Sequence, residues 1–169
     1  PNTDFLWAPL MECKMRYYTN LVVLIVLAAT FSVTAMAKEE CGLSNGERAS
    51  GKAIQIGAIV GKTGPEDFSS SARSASAYFD CVNANGGING RPVAYTVQDD
   101  SWNPEVATQA ASKLVKDLLV VGMVGSTSFV ECGANSKLYE DEGVAVIAGV
   151  GVPRSCFYSK NYAPFNQGP

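Results

Sequence analysis

Histidine is missing from all 169 residues of the chain. That removes the Ser-His-Asp and Cys-His nucleophile systems and the commonest zinc ligand from the chemistry these residues can perform. Positive charge is also scarce. Thirteen Lys and Arg against sixteen Asp and Glu leave a net charge of -3, so there is no basic surplus of the kind that marks nucleic-acid binding, and no nucleic-acid partner is expected. The five cysteines show no C-x-x-C spacing, which argues against a metal site. Neither metal nor cofactor is expected, and no enzyme activity.

An opening methionine is lacking too. Residues 1–10 carry no pattern and are read as upstream residues before a start at Met11 or Met15. From there Lys14 and Arg16 give a basic segment, Leu21 to Val33 an apolar one, and Ala35-Met36-Ala37 a small-residue cleavage site. This is the layout of a secretory signal peptide over 11–37. The apolar part is shorter than the ~20 residues of a bilayer-spanning helix. The mature protein is therefore expected outside the cytoplasm, in the periplasm, where Cys41, Cys81, Cys132 and Cys156 can form two disulfides with three possible pairings.

Residues 38–53 read as a polar lead-in. Within it Gly42-Leu43-Ser44-Asn45-Gly46 spells a G-x-S-x-G nucleophile elbow, yet an elbow follows a strand, and this string precedes the first one. Gly57 to Thr63 similarly imitates a phosphate-binding loop but is one residue short, and Gly64-Pro65 stands where a helix would have to begin.

Residues 54–169 are expected to form one domain. Ile54 to Val60 is a nearly continuous apolar run, the mark of a strand covered on both faces in a parallel sheet. Ala72, Ala75, Phe79 and Val82 recur at helical spacing over 69–85, and Gly86-Gly87 ends the helix. Val93, Tyr95 and Val97 alternate as a strand. Asp99-Asp100 follows as a solvated loop pair whose side chains point opposite ways. Asn103-Pro104-Glu105 opens a helix with a cap, a first-turn Pro and an acid. Leu118 to Val124 reads as the third strand, Ser128-Phe129-Val130-Glu131 as a capping box, and Val144 to Val150 as the fourth strand. Alternating strands and helices predict an α/β, doubly wound parallel sheet with right-handed crossovers. All exit loops then meet at one edge. Thr63, Ser126, Thr127, Ser128 and the backbone of Val150, Gly151 and Val152 would line a crevice suited to a small polar solute.

Several stretches together resemble the periplasmic solute-binding proteins of ABC importers, branched-chain amino acid type. They are Ile54 to Pro65, the turn Asn83-Ala84-Asn85-Gly86-Gly87-Ile88-Asn89-Gly90-Arg91, Asp99-Asp100 with Asn103-Pro104, Gly122 to Gly125, and Tyr139-Glu140-Asp141-Glu142-Gly143. The resemblance implies a type I periplasmic-binding fold of two lobes, of which this chain carries the first, with Gln167-Gly168-Pro169 at the crossing to the second. It implies capture of an amino acid, amide or small aromatic acid and delivery to permease subunits in the membrane. A sensory input domain of a membrane signalling protein is the alternative. Members that bind amino acids use a Ser at the head of the third helix and a Thr after the fourth strand. Phe129 and one of Gly151 or Val152 stand there instead, while Phe68, Trp102 and Phe129 would suit an aromatic ring.

Topology chooses among the cysteine pairings. Cys132, at the start of the third helix, and Cys156, after the fourth strand, belong to the carboxyl edge of the sheet. Cys81, late in a helix that runs back, and Cys41, before the first strand, belong to the opposite edge. Cys41–Cys81 and Cys132–Cys156 are expected, because a disulfide tolerates Cα atoms only ~4.4–6.8 Å apart.

Overall fold

The computed structural model describes residues 40–168; the expected signal segment lies outside them. Five parallel strands form one sheet: β1 (Ile54–Val60), β2 (Val93–Asp99), β3 (Gly122–Thr127), β4 (Ala145–Val150) and β5 (Tyr162–Pro164), in the order β2-β1-β3-β4-β5. The connections hold the helices α1 (Ser70–Ala84), α2 (Pro104–Ser112), α3 (Glu131–Glu142) and the short α4 (Ser155–Tyr158). This is the doubly wound α/β arrangement that strand-helix alternation predicts.

Side-chain alternation along β1 serves two cores. Ala58 and Val60 pack with Ala72 of α1 and Tyr95. Ile59 points the other way, into the larger cluster with Leu114, Met123, Tyr139, Val146 and Ala148. The apolar positions of α1 are its inward face, Ala72 and Val82 being buried. Asn103 caps α2 through its side chain, which accepts from the N–H groups of Glu105 and Val106, with Pro104 in the first turn.

The third strand differs from expectation. It begins at Gly122, not Leu118, and continues through Gly125-Ser126-Thr127. Residues Lys113–Asp117 extend α2 as a π-helical turn, and Leu119 turns the chain at φ 52 with its side chain 70% exposed. Apolar content alone had favoured Leu118 to Val121. The small polar residues belong to the strand because β3 is central, pairing on both sides as far as Thr127. The ladder between β1 and β3 slips between Gly57 and Val60, Gly125 takes φ 81, and the Ser126 hydroxyl accepts the Ile59 N–H at 3.1 Å. A serine side chain thus replaces a ladder acceptor at a bulge.

Beside that bulge the packing is tight. A Cβ on Gly149 of β4 would stand 2.5 Å from both Cβ and Oγ of Ser71 and 2.6 Å from the Thr127 hydroxyl. Gly149→Ala is expected to lower stability by about 1–3 kcal/mol through overpacking. Urea unfolding checks this, and an unchanged midpoint would show that α1 can retreat freely.

Both disulfides are formed, Cys41–Cys81 with Cα atoms 6.0 Å apart and Cys132–Cys156 at 5.3 Å. The lead-in is pinned to α1, since Leu43 N–H donates to the Asn85 carbonyl and Ala49 N–H to that of Asn83.

Candidate functional site

In the order β2-β1-β3 the chain direction across the sheet reverses at the carboxyl ends of β1 and β3, the place where open α/β sheets take ligands. Four exit loops meet at this edge, after β1, β2, β3 and β4. The residues expected to line a site fall into two groups there.

Hydroxyls form the first group, and all are engaged within the protein. Ser126 is fully buried on the Ile59 N–H. The Thr127 hydroxyl lies 2.5 Å from that of Ser71. The buried Ser128 hydroxyl is bonded to the Asp100 carboxylate and accepts the N–H groups of Val130 and Glu131 at 3.1 Å each. Thr63 is exposed, yet its hydroxyl donates to Asp99 at 2.6 Å and lies 2.7 Å from the Ser101 hydroxyl. Gly151 is buried, its N–H donating to the Asn166 side chain at 2.7 Å, while Val150 and Val152 stay exposed beside it.

The aromatic group has the opposite character. Phe68 from the β1 loop, Trp102 from the β2 loop and Phe129 from the β3 loop come together. Trp102 stacks on Phe129 with centroids 4.7 Å apart and planes 15° from parallel, and Phe68 leans on both at 5.5 and 5.2 Å. The β1 loop also lies against the indole: a Cβ at Gly64 would come within 2.7 Å of its Cδ1 and one at Gly61 within 3.0 Å of its Nε1. The indole N–H donates to the Glu66 carbonyl. Trp102 is therefore held by Phe129 and by the β1 loop, and Phe129, 38% exposed, is the most exposed ring of the three. A cavity of about 330 Å³ between α1 and β2 is lined by Lys62, Arg73, Val97 and Asp99 among others; none of the expected site residues lines it, although Asp99 accepts the Thr63 hydroxyl.

Beneath the rim sit three carboxyls. Burial raises Asp99, but bonds from the Thr63 hydroxyl and the N–H groups of Ser101, Lys62 and Thr63 outweigh it and hold the group at about 2. Asp100 is no solvated partner of Asp99. The strand's alternation turns it inward, where it is fully buried and burial raises its pKa. Glu131 is also fully buried. It does not close a capping box, because its side chain turns to the Tyr139 and Tyr162 hydroxyls. Sequence reasoning assigns Asp100 to a solvated pair and Glu131 to a cap, and no local pattern marks either as buried; their partners Ser128, Tyr139 and Tyr162 come from other turns or elements.

A family model for periplasmic binding protein matches residues 53–169. The chain belongs to the periplasmic binding protein family. That family is a solute-binding class, not an enzymatic one. The Leu/Ile/Val-binding protein of Escherichia coli K12 is 31% identical over 101 residues, 57% of this chain and 26% of that protein. The Streptococcus pneumoniae branched-chain amino acid transporter substrate binding protein, solved with isoleucine, shares the fold at TM-score 0.60 and 21% identity over 67% of this chain and 33% of its own. A solute binding protein of an ABC transporter from Rhodopseudomonas palustris BisB5, solved with 3,4-dihydroxy benzoic acid, does so at TM-score 0.52 and 18% identity, over 66% and 31%. This periplasmic binding protein lobe spans about a quarter of the length of the curated relatives it matches.

Proposed function

We propose that the chain is the first lobe, residues 54–169, of a periplasmic, signal-peptide-exported solute-binding subunit that hands a small solute to the permease of an ABC importer. Among amino acids, amides and aromatic acids, the reading favours a solute with an aromatic ring. The observation that carries it is the Trp102–Phe129 stack at the sheet's switch point, with Phe129 the more exposed ring. Ring pairs of this kind add about 0.5–1.5 kcal/mol beyond the area they bury. The hydroxyls that could clamp an amino-acid zwitterion support the same choice by being occupied inside the lobe. The E. coli relative is named for leucine, isoleucine and valine, so side-chain class is where this lobe departs. A sensory input domain would share the lobe and differ in the membrane protein it serves.

Thermal unfolding of the full-length gene product, scanned with benzoate, 4-hydroxybenzoate, acetamide, urea and L-leucine, tests this. Stabilisation approaching ~2.7 kcal/mol at 100 times the dissociation constant is expected from the aromatic acids. A response to leucine without one to either benzoate would overturn the choice of solute, and no response to any of the five would count against the binding role.

A further inference from the structure

We propose that Asp100 is the positioning residue of the aromatic rim: its two carboxylate oxygens separately hold the loops that carry Trp102 and Phe129, and the ring stack depends on both bonds. This rests on reading the rim as the surface that meets the solute. Asp100 Oδ1 accepts the Trp102 N–H at 2.9 Å. Oδ2 is bonded to the Ser128 hydroxyl, whose oxygen in turn accepts the N–H groups on the far side of Phe129. One buried side chain therefore spans from the β2 loop to the β3 loop, the two loops whose rings stack.

Backbone geometry shows why such a residue is needed. Ser101 and Trp102 have φ 51 and φ 61, two successive non-glycine residues in the left-handed region, which persists only where the surroundings enforce it. The enforcing bonds come from the adjacent acids. Asp99 accepts the Ser101 N–H at 2.9 Å and also ties down the β1 loop at Lys62 and Thr63. Asp100 accepts the Trp102 N–H, and its own carbonyl accepts that of Asn103. Without this turn the chain would enter α2 directly and the indole would not lie across Phe129. Packing against Gly61, Gly64 and Phe68 supplies contact to the indole, and Phe68 also touches the Phe129 ring, but none of these contacts fixes the Ser101-Trp102 backbone, which the Asp100 carboxylate does while also holding Ser128.

Trp102 reports on its own position once every other tryptophan of the expressed protein, Trp7 included where it is retained, is replaced by Phe. In that background Asp100→Asn keeps an acceptor for the Trp102 N–H but puts an amide N–H₂ opposite a Ser128 oxygen that already accepts two N–H groups. The expected result is a red-shifted Trp102 emission, readier acrylamide quenching, and a loss of benzoate affinity of about tenfold, the scale of one charge-assisted hydrogen bond. Ser128→Ala should do the same and Ser128→Thr, which retains the hydroxyl, should restore the signal, so the test survives if Asp100→Asn fails to fold. Val82→Ala, which weakens α1 far from the rim, should lower the melting temperature without moving the emission. Unchanged Trp102 emission and quenching in folded Asp100→Asn, or equal signals from the two Ser128 variants, would overturn the proposal. A shifted Trp102 signal in a protein that binds no benzoate even unmutated would uphold the positioning role and remove the aromatic-solute reading alone.

Discussion

Between pH 4.5 and about 7 the lobe is expected to lose about 3 kcal/mol of stability, and Glu131→Gln is expected to abolish most of that loss. Glu131 is fully buried, and burial raises its carboxyl strongly. The Tyr139 and Tyr162 hydroxyls pull it part of the way back down, the nearby Asp100 raises it again, and it settles at about 7 against an ordinary 4.5. In the unfolded chain the group ionises near 4.5, whereas the folded protein keeps its proton until about 7. The unfolded state therefore gains from each step of rising pH in this window. The contribution is fully present below the lower value and lost as pH rises through the upper one. At about 1.4 kcal/mol for each pH unit, the window amounts to the figure above. Gln presents one acceptor and one donor to the two tyrosine hydroxyls, which rotate to suit, so the variant should remain folded with a flat profile. Asp99 acts in a separate range and in the opposite sense, its support being present above 3.8 and lost as pH falls towards about 2. Urea unfolding of the parent and Glu131→Gln proteins at several pH values from 4.5 to 8 measures the Glu131 effect free of Asp99, and parallel curves for the two proteins would show that Glu131 does not titrate in this way.

Most of the framework was legible because it rests on local signals. The Asn103-Pro104 cap, the apolar row of α1 and the apolar run of β1 each act through neighbours close in sequence, and each element formed where its pattern stands. The start of β3 was not legible for a related reason. Leu118 to Val121 has the composition of a strand, but whether those residues or Gly125-Ser126-Thr127 pair with β1 and β4 depends on where the π-helical turn after α2 lets the chain enter the sheet. No window of sequence contains that information.

For the site, Phe68, Trp102 and Phe129 were legible as rim residues because each follows a strand, and the topology sends every strand's exit to one edge. Which side chains remain free at that edge was not legible. Ser126, Thr127 and Ser128 read as a hydroxyl-rich loop, and the Ile59 N–H, Ser71 and Asp100 that occupy them lie at least 28 residues away in sequence. Asp100 and Glu131 were hidden by the same effect. An acid is ordinarily solvated, and only the arrival of Ser128, Trp102, Tyr139 and Tyr162 makes these two tolerable in the interior.

The larger effect of removing a disulfide is expected from Cys132–Cys156, replaced by a pair of alanines, at about 3–4 kcal/mol. Chain entropy alone predicts the reverse order. The Cys41–Cys81 bridge separates residues by 40 positions against 24, yet the logarithmic dependence makes that difference only about 0.5 kcal/mol. What each bridge holds decides the matter. Cys41–Cys81 fastens the lead-in to α1, and a lead-in can detach while the sheet and both cores persist, so its loss should appear mainly as local opening. Cys132 and Cys156 are both fully buried in the main core. They join the first turn of α3 to α4, just before β5, the same join that Glu131 makes through Tyr162. Losing the bridge leaves that join to a carboxyl whose support weakens as pH rises, so the two effects should not add independently. The double alanine variant should therefore lose more stability at pH 8 than at pH 5, while the Cys41→Ala and Cys81→Ala pair should show faster hydrogen exchange confined to the lead-in. Equal losses at the two pH values would show that bridge and carboxyl act separately, and a larger loss from the Cys41–Cys81 pair would return the decision to chain entropy.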